Sequence, residues 1–280
     1  MLVKWRNFQK GRGDMKRIRV LTAAILVIAV SFAFTPFFGS AGAASKKKVT
    51  VVKSMNISFK SDVENLKSKS TIKYKKGFIT GYKDIEGSYK LSYDKKYRIK
   101  KCVGKISDLG TRTGTYTWKK NKLAKIDLVF DLYNETSKFT YKGGKISKCD
   151  LNYEHGGATG KETITFSYKK GHISKKIRKM EGNITLTDII SFDKNKNAVK
   201  RVEKIDGKVQ EKWSVNIKYG KNKKPEKLVA VNKNSENNDV ITYKYTFKYK
   251  KVKVAKKYVK AIKEQQWKLI NSAIGESYAW

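Results

Sequence analysis

One short pattern recurs along the chain and limits what it can fold into more than any other feature. Its cleanest copies are Tyr74-Lys75-Lys76-Gly77-Phe78-Ile79, Trp118-Lys119-Lys120-Asn121-Lys122-Leu123, Tyr141-Lys142-Gly143-Gly144-Lys145-Ile146 and Tyr168-Lys169-Lys170-Gly171-His172-Ile173. Each reads aromatic, Lys, Lys or Gly, Gly or Asn, any residue, aliphatic. Looser copies with longer loops start at Tyr93, Phe192 and Tyr219, and a terminal one at Tyr249 lacks the Gly, so eight anchors recur every 19 to 30 residues.

Two residues before every anchor stands an apolar residue, from Ile72 and Leu91 through to Ile217 and Phe247, and the residue between is Lys, Ser or Thr. Alternation with period two marks a strand with one buried face. A two-residue loop such as Lys170-Gly171 sets Tyr168 opposite Ile173 on that face, and Gly or Asn supplies the positive φ of a primed hairpin turn. Each copy is therefore predicted as a β-hairpin. Eight in series give an all-β antiparallel meander of roughly sixteen strands, an extended or curled sheet whose hairpins must stack to bury a core. Three residues after the aliphatic comes another apolar position, at Tyr82, Cys102, Ile126, Cys149, Val202 and Val231. The odd offset requires either a β-bulge in each second strand or a sheet covered on both faces.

Near the C-terminus the period changes. Ala255, Val259, Ile262, Gln266, Leu269, Ile270, Ala273 and Ile274 share one helical face, with Gly275 as a stop. One amphipathic helix is predicted there, covering the open edge of the last hairpin, with a membrane or partner surface as the functional alternative given its lysines. At the other end, seven basic residues precede an apolar stretch from Val20 to Phe38 and the small-residue site Ala41-Gly42-Ala43-Ala44. This is the form of an export signal cleaved near Ala43 or Ala44, with Met1 or Met15 as the start; an uncleaved membrane anchor is the alternative. The chain thus divides into a signal peptide (1–44), a β-hairpin repeat domain (45–251) and a C-terminal helix and tail (252–280).

The full chain carries a formal charge of +40. Without residues 1–44 it keeps 57 Lys and Arg against 23 Asp and Glu, or +34. Nearly all of that charge is Lys; Arg98, Arg112, Arg178 and Arg201 alone have the rigid fork that reads phosphate or base edges. A diffuse cationic field concentrates polyanions without specific nucleic-acid recognition. Candidate anion-binding residues are the lysines clustered at the turns: Lys75, Lys76, Lys119, Lys120, Lys142, Lys169, Lys170, Lys250 and Lys251. If the hairpin tips align along one rim they form a periodic cationic stripe; as solubilising turn charges they would do nothing further. Tyr97, Trp213, Tyr278 and Trp280 are candidates for stacking on sugars or bases.

Cys102 and Cys149 are a candidate disulfide for an exported chain. Their equivalent strands lie four apart in a meander, about 19 Å, so a bond requires the sheet to roll back on itself, and free thiols favour an open one. His155 and His172 lack the carboxylates of a zinc site, and His172 reads as a solvated turn residue. Asp193-Lys194-Asn195-Lys196-Asn197 starts like a calcium loop but has Ala198 and Lys204 where Gly and Glu are needed. Neither the carboxylates Asp127, Asp131 and Glu135, nor Asp84 and Glu86, nor a nucleophile elbow marks a catalytic centre. No catalytic residue, metal or cofactor is expected.

The hairpins resemble the YD-repeat family of secreted bacterial proteins, whose copies run strand, Tyr, Asp, a Gly-containing turn and a strand opening on an aliphatic. Tyr93-Asp94 and Phe192-Asp193 come closest, and the likeness covers about residues 70–254. Six of the eight copies lack the acidic residue, and the count falls short of the closed shell that long members wind. The resemblance implies a surface-displayed β scaffold, in some members associated with carbohydrate or a carried toxin domain, with no catalytic residues. The expected function is non-catalytic binding of an anionic wall polymer or acidic glycan, secreted or wall-associated; the alternative is a structural or adhesion module whose partner is a protein or neutral glycan.

Overall fold

The computed structural model describes residues 45–84, 87–106, 110–131, 133–169, 171–220, 223–235 and 237–272. The export signal, its cleavage site at Ala43 or Ala44, and Ala273, Ile274 and Gly275 lie outside them. The first eight strands are β1 (Lys46–Lys60), β2 (Asn65–Lys75), β3 (Phe78–Lys83), β4 (Gly87–Tyr93), β5 (Ile99–Ile106), β6 (Gly110–Lys119), β7 (Lys122–Phe130) and β8 (Tyr133–Lys142). The second eight are β9 (Lys145–His155), β10 (Ala158–Lys169), β11 (His172–Lys179), β12 (Thr185–Phe192), β13 (Ala198–Ile205), β14 (Lys208–Tyr219), β15 (Pro225–Asn234) and β16 (Val240–Ala255). A short 3-10 turn, Lys256–Tyr258, leads into the helix α1 (Val259–Ser272).

Each strand pairs antiparallel with its neighbours in sequence, and β16 pairs with β1, so the sheet closes into a barrel. The meander, its sixteen strands and its C-terminal helix match expectation; the extended or curled sheet does not. The seam explains why. Val52 stands opposite Tyr249, as Ile79 stands opposite Tyr74 and Ile146 opposite Tyr141. The N-terminal strand is thus the second strand of the eighth unit, and the Tyr249 copy needs no Gly because no turn follows it.

The register shifts at every anchor, for instance between Lys73 and Tyr74, Thr117 and Trp118, and Ser191 and Phe192. The extra residue follows the aliphatic, as Thr80 follows Ile79 and Ala124 follows Leu123. This is the β-bulge alternative, and it returns Tyr82, Cys102, Ile126 and Cys149 to the buried face. Val202 and Val231, expected on that face, are not on it: the aliphatics stand at Ala198 and Pro225, and the buried positions are Arg201 and Leu228. Tight turns carry the positive φ expected of them, at Lys76 and Gly77 and at Gly143 and Gly144.

Inside, one hydrophobic cluster joins all parts of the wall, from Val52 and Ile72 through Leu123 and Phe166 to Phe247. Outside, residues such as Lys67, Lys73, Thr165 and Lys244 are exposed. Close approaches inside use glycine: a Cβ on Gly104 would meet the Tyr89 ring at 2.3 Å, and one on Gly160 the Tyr153 ring at 2.3 Å. Buried in the wall, Asp188 pairs with Arg201 at 2.5 Å and Lys176 at 3.3 Å, and Arg201 also pairs with Glu203. Arg178 pairs with Glu162 at 2.6 Å. Arginine suits such buried forks, and it is used here for packing rather than for reading a ligand.

The helix α1 lies over the end of the barrel that carries the anchors. Ile262 and Leu269 are fully buried. Three buried amides on its inner face accept hydrogen bonds from strand N–H groups at or beside the bulges: Gln266 from Val52 (2.7 Å), Gln265 from Ile79 (3.4 Å) and Asn271 from Ala198 (2.8 Å). A bulge interrupts the ladder, and a buried N–H left over must find an acceptor. The helix was expected to cover the edge of the last hairpin; the closed sheet has no such edge, and the helix covers the mouth instead. Ala255, placed on the helical face from sequence, ends β16.

Cys102 and Cys149 are unbonded and buried, on β5 and β9, four strands apart around the wall. Free thiols therefore coexist with a closed sheet, contrary to the expectation that they would accompany an open one.

Candidate functional site

At the covered mouth the anchors clasp one another. Tyr74 donates its hydroxyl to the Val52 carbonyl (2.6 Å), Tyr93 to Ile79 (2.5 Å), Tyr141 to Leu123 (3.0 Å), Tyr168 to Ile146 (2.9 Å) and Tyr249 to Pro225 (2.5 Å). Trp118 donates its indole N–H to Ile99 (2.8 Å). In each case the acceptor is the aliphatic residue of the preceding unit. Tyr219 donates to Asp193 and accepts from Asn197, while Phe192 has no hydroxyl to give. The position read as any residue is not free either. Arg98 sits over the Trp118 ring at 5.1 Å, Lys122 over Tyr141 at 5.1 Å and Lys145 over Tyr168 at 5.1 Å. Phe78 packs on Tyr93 and His172 on Phe192.

Three units have longer turns, Asp94–Arg98, Asp193–Asn197 and Gly220–Lys224, and the first two also share an aspartate brace. Asp94 Oδ1 accepts from the backbone N–H of Lys96 (2.8 Å) and Arg98 (3.0 Å), and Asp193 Oδ1 accepts from Asn197 (2.9 Å). Each of these two turns holds its fourth residue left-handed: Tyr97 at φ 58° and Lys196 at φ 67°, a conformation bulky side chains avoid. The Lys196 carbonyl accepts the indole N–H of Trp267 at 3.0 Å, and Trp267 lies 4.7 Å from the His172 ring.

Between this second turn, the start of β1 and the outer side of α1 lies a cleft of about 750 Å³. Lys47, Lys196, Lys256, Lys260 and Lys263 line it, with Glu264 as the lone carboxylate and Trp267 and His172 as its aromatic wall. None of the five lysines is ion-paired to a described carboxylate. Burial holds the His172 imidazole below its ordinary value, against the pull of Glu264 and with help from Lys196. Burial also pushes Lys268, on the covered side of the helix, down to about 8, with Glu264 opposing. The cleft can hold negative charge against a flat aromatic wall.

Of the lysines expected to bind anions, Lys75, Lys76, Lys119, Lys120, Lys142, Lys169 and Lys251 are exposed, and the hairpin tips stand in a ring around the mouth instead of a straight stripe. Lys250 is half-buried over the Tyr74 ring at 5.0 Å, and Lys170 lies outside the described residues. None of the nine lines the cleft. The signal that marks the cleft in sequence is the spacing Lys256, Lys260, Lys263, Trp267, a helical stripe opposite the apolar face. Among the stacking candidates, Trp213 is buried inside the barrel and donates to Glu211 (3.2 Å), Tyr97 is half-buried, and Tyr278 and Trp280 lie outside the described residues, as does Glu86. His172 is half-buried against Trp267 and Phe192, not a solvated turn residue.

No protein-family model matches the chain, and no curated protein matches it. A solved porin-like protein from Bacteroides vulgatus is similar in structure, with a TM-score of 0.50 at 10% identity over 72% of this chain and 99% of that one. A porin-like protein from Bacteroides uniformis gives a TM-score of 0.37 at 10% identity, over 70% and 98%. The first likeness carries the barrel fold and nothing finer. It overturns the resemblance to YD-repeat proteins: the sixteen strands close into a porin-like barrel, and Asp94 and Asp193 serve as turn braces. A membrane-spanning barrel presents an apolar band about 25 Å tall to lipid. Here the exposed large hydrophobics among the described residues are Val63, Leu66, Val129, Ile189 and Val240, and lysines occupy much of the rest.

Proposed function

We propose that this chain is an exported, non-catalytic binding protein that holds an anionic polymer in the lysine cleft beside α1. The observation that carries this is the cleft itself: five lysines ion-paired to no described carboxylate, with one carboxylate, around about 750 Å³. Like charges gathered on one concave surface repel one another, and a bound polyanion relieves that repulsion while releasing its counterions. The ring of exposed turn lysines surrounds the same end and raises the local concentration of polyanion. The barrel interior holds one continuous apolar cluster, and the charged groups Asp188, Arg201, Lys176 and Glu203 inside it are paired with one another, which supports a surface site over a channel.

The polar outer wall and the export signal support a water-exposed location outside the cytoplasm, secreted or at the cell surface; retention through an uncleaved N-terminal helix would leave the same cleft exposed. The test is binding of residues 45–280 to a soluble polyanion, polyphosphate, across a salt series. Neutralising five charges gives a slope of log affinity on log salt near about −4. Binding indifferent to salt would point to a protein or neutral glycan partner, with the charge incidental.

A further inference from the structure

The helix α1 spans the mouth between the Asp94–Arg98 and Asp193–Asn197 turns. Tyr258, at its start, packs on Tyr97 of the first turn with ring centroids 4.7 Å apart, and Trp267, near its end, is fixed to Lys196 of the second. Tyr97 also stacks on Phe78 at 5.0 Å and 19°, with Lys76 over its ring at 5.7 Å and Lys257 over Tyr258 at 5.3 Å. Tyr97 and Tyr258 both remain half-exposed. Lys260 and Lys263 face outward between the two aromatic groups, whose helix positions 258 and 267 lie about 14 Å apart at 1.5 Å per residue, and Lys256 stands just before Tyr258.

From this arrangement we infer that the Tyr97–Tyr258 pair is a second, ring-stacking subsite continuous with the lysine cleft, and that the polymer held along α1 is an acidic glycan. The inference rests on the cleft's being the polyanion site. An acidic glycan offers sugar rings and anionic groups on one chain, and the surface offers half-exposed aromatic rings, Tyr97 and Tyr258 at one end and Trp267 at the other, with lysines between them. Single strands of nucleic acid also combine bases with charge, but none of the four guanidinium forks that favour phosphate lines the cleft: Arg98 pairs with Asp94, Arg178 and Arg201 pair with carboxylates of the barrel, and Arg112 lies over the Phe130 ring at 5.8 Å. Tyr97 holds the turn position that Lys196 holds beside the cleft, so the ring stands at the same level of the mouth as the cleft lysine.

The test compares affinities of residues 45–280 for polygalacturonate, polyphosphate and poly(dT), for the wild type and for Tyr97→Gly/Tyr258→Ala. Glycine suits the positive φ at position 97, so the ring is removed without straining the turn. Expected is a loss of about tenfold for polygalacturonate, with polyphosphate binding unchanged. Equal losses for both polymers, or none for either, would overturn the stacking subsite. Tighter binding of poly(dT) than of polygalacturonate, lost with the two rings, would overturn the glycan. Polyphosphate binding with no polygalacturonate binding in the wild type would overturn the inference while leaving the cleft intact, whereas failure to bind either would remove the cleft as well. Nitration of the wild-type protein gives a second measure independent of any variant: polygalacturonate, and not polyphosphate, should protect Tyr97 and Tyr258, and equal protection by both would count against stacking.

Discussion

Val52 stands opposite Tyr249 across the seam between the first and last strands, in the place that the aliphatic of each hairpin takes opposite its own anchor. Val52 also accepts the Tyr74 hydroxyl and gives its N–H to Gln266, so one residue joins the seam, the ring of anchors and the helix. Its replacement by Ala should cost about 2–3 kcal/mol, read by urea unfolding. Deletion of residues 45–60 should leave β2 and β16 with open edges and a chain that self-associates, read by light scattering; a soluble monomer would mean that the seam is dispensable.

The anchors need a donor at the tip of the ring. Tyr141→Phe leaves the Leu123 carbonyl without its partner and should cost about 1 kcal/mol. Phe192 is the exception that can be repaired: Phe192→Tyr supplies the missing hydroxyl and should stabilise by a few tenths to about 1 kcal/mol. Paired denaturation curves check both signs.

Burial pushes the Cys102 thiol up to about 12 and the Cys149 thiol up to about 12, Ser137 opposing at the second. A thiol reagent at pH 8 should label neither in the folded protein and both after unfolding, since the thiolate is the reactive form. A non-reducing mass two protons light would show a disulfide instead.

The acid limb of stability should depend on Asp188. Burial alone raises its carboxyl, and Lys176 and Arg201 together outweigh burial, so it lies below the usual carboxylate range. A depressed acid contributes stability that is present above the unfolded value, about 4, and lost as the pH falls through the folded one. Glu162 and Glu203 are held above their ordinary value by burial, over their arginine partners, and they act in the opposite sense, costing stability as the pH rises past that range. Asp188→Asn should therefore be less stable at pH 7 and lose less on going to pH 3 than the wild type, in unfolding curves at the two pH values.

The hairpins, their number and the buried alternation were legible because they are local: an anchor, a turn and an aliphatic lie within a few residues of one another. Closure was not, because it is carried by Val52, some two hundred residues from its partner Tyr249, in a strand with no turn motif. The ring of hydroxyls was half legible, in that seven of eight anchors are Tyr or Trp and Phe stands only at position 192. Arg201 was not legible because the apolar pattern points to Val202, one residue beyond it, and Lys176, three residues after Ile173, breaks the apolar pattern at its own unit. The turn lysines are legible because each lies in a local motif, while the cleft is assembled from β1, one turn and the helix. No local spacing joins Lys47 and Lys196 to Lys260.

The most direct test of the cleft compares two charge-matched variants of residues 45–280 in the same polyphosphate titration at low salt: Lys196→Ala/Lys260→Ala/Lys263→Ala in the cleft, and Lys75→Ala/Lys119→Ala/Lys169→Ala on the ring of turns. The cleft variant should lose at least tenfold in affinity and flatten the salt slope by about 2 to 3, with the ring variant losing no more than about threefold. Equal losses in the two would contradict a localised site and leave only a diffuse cationic field.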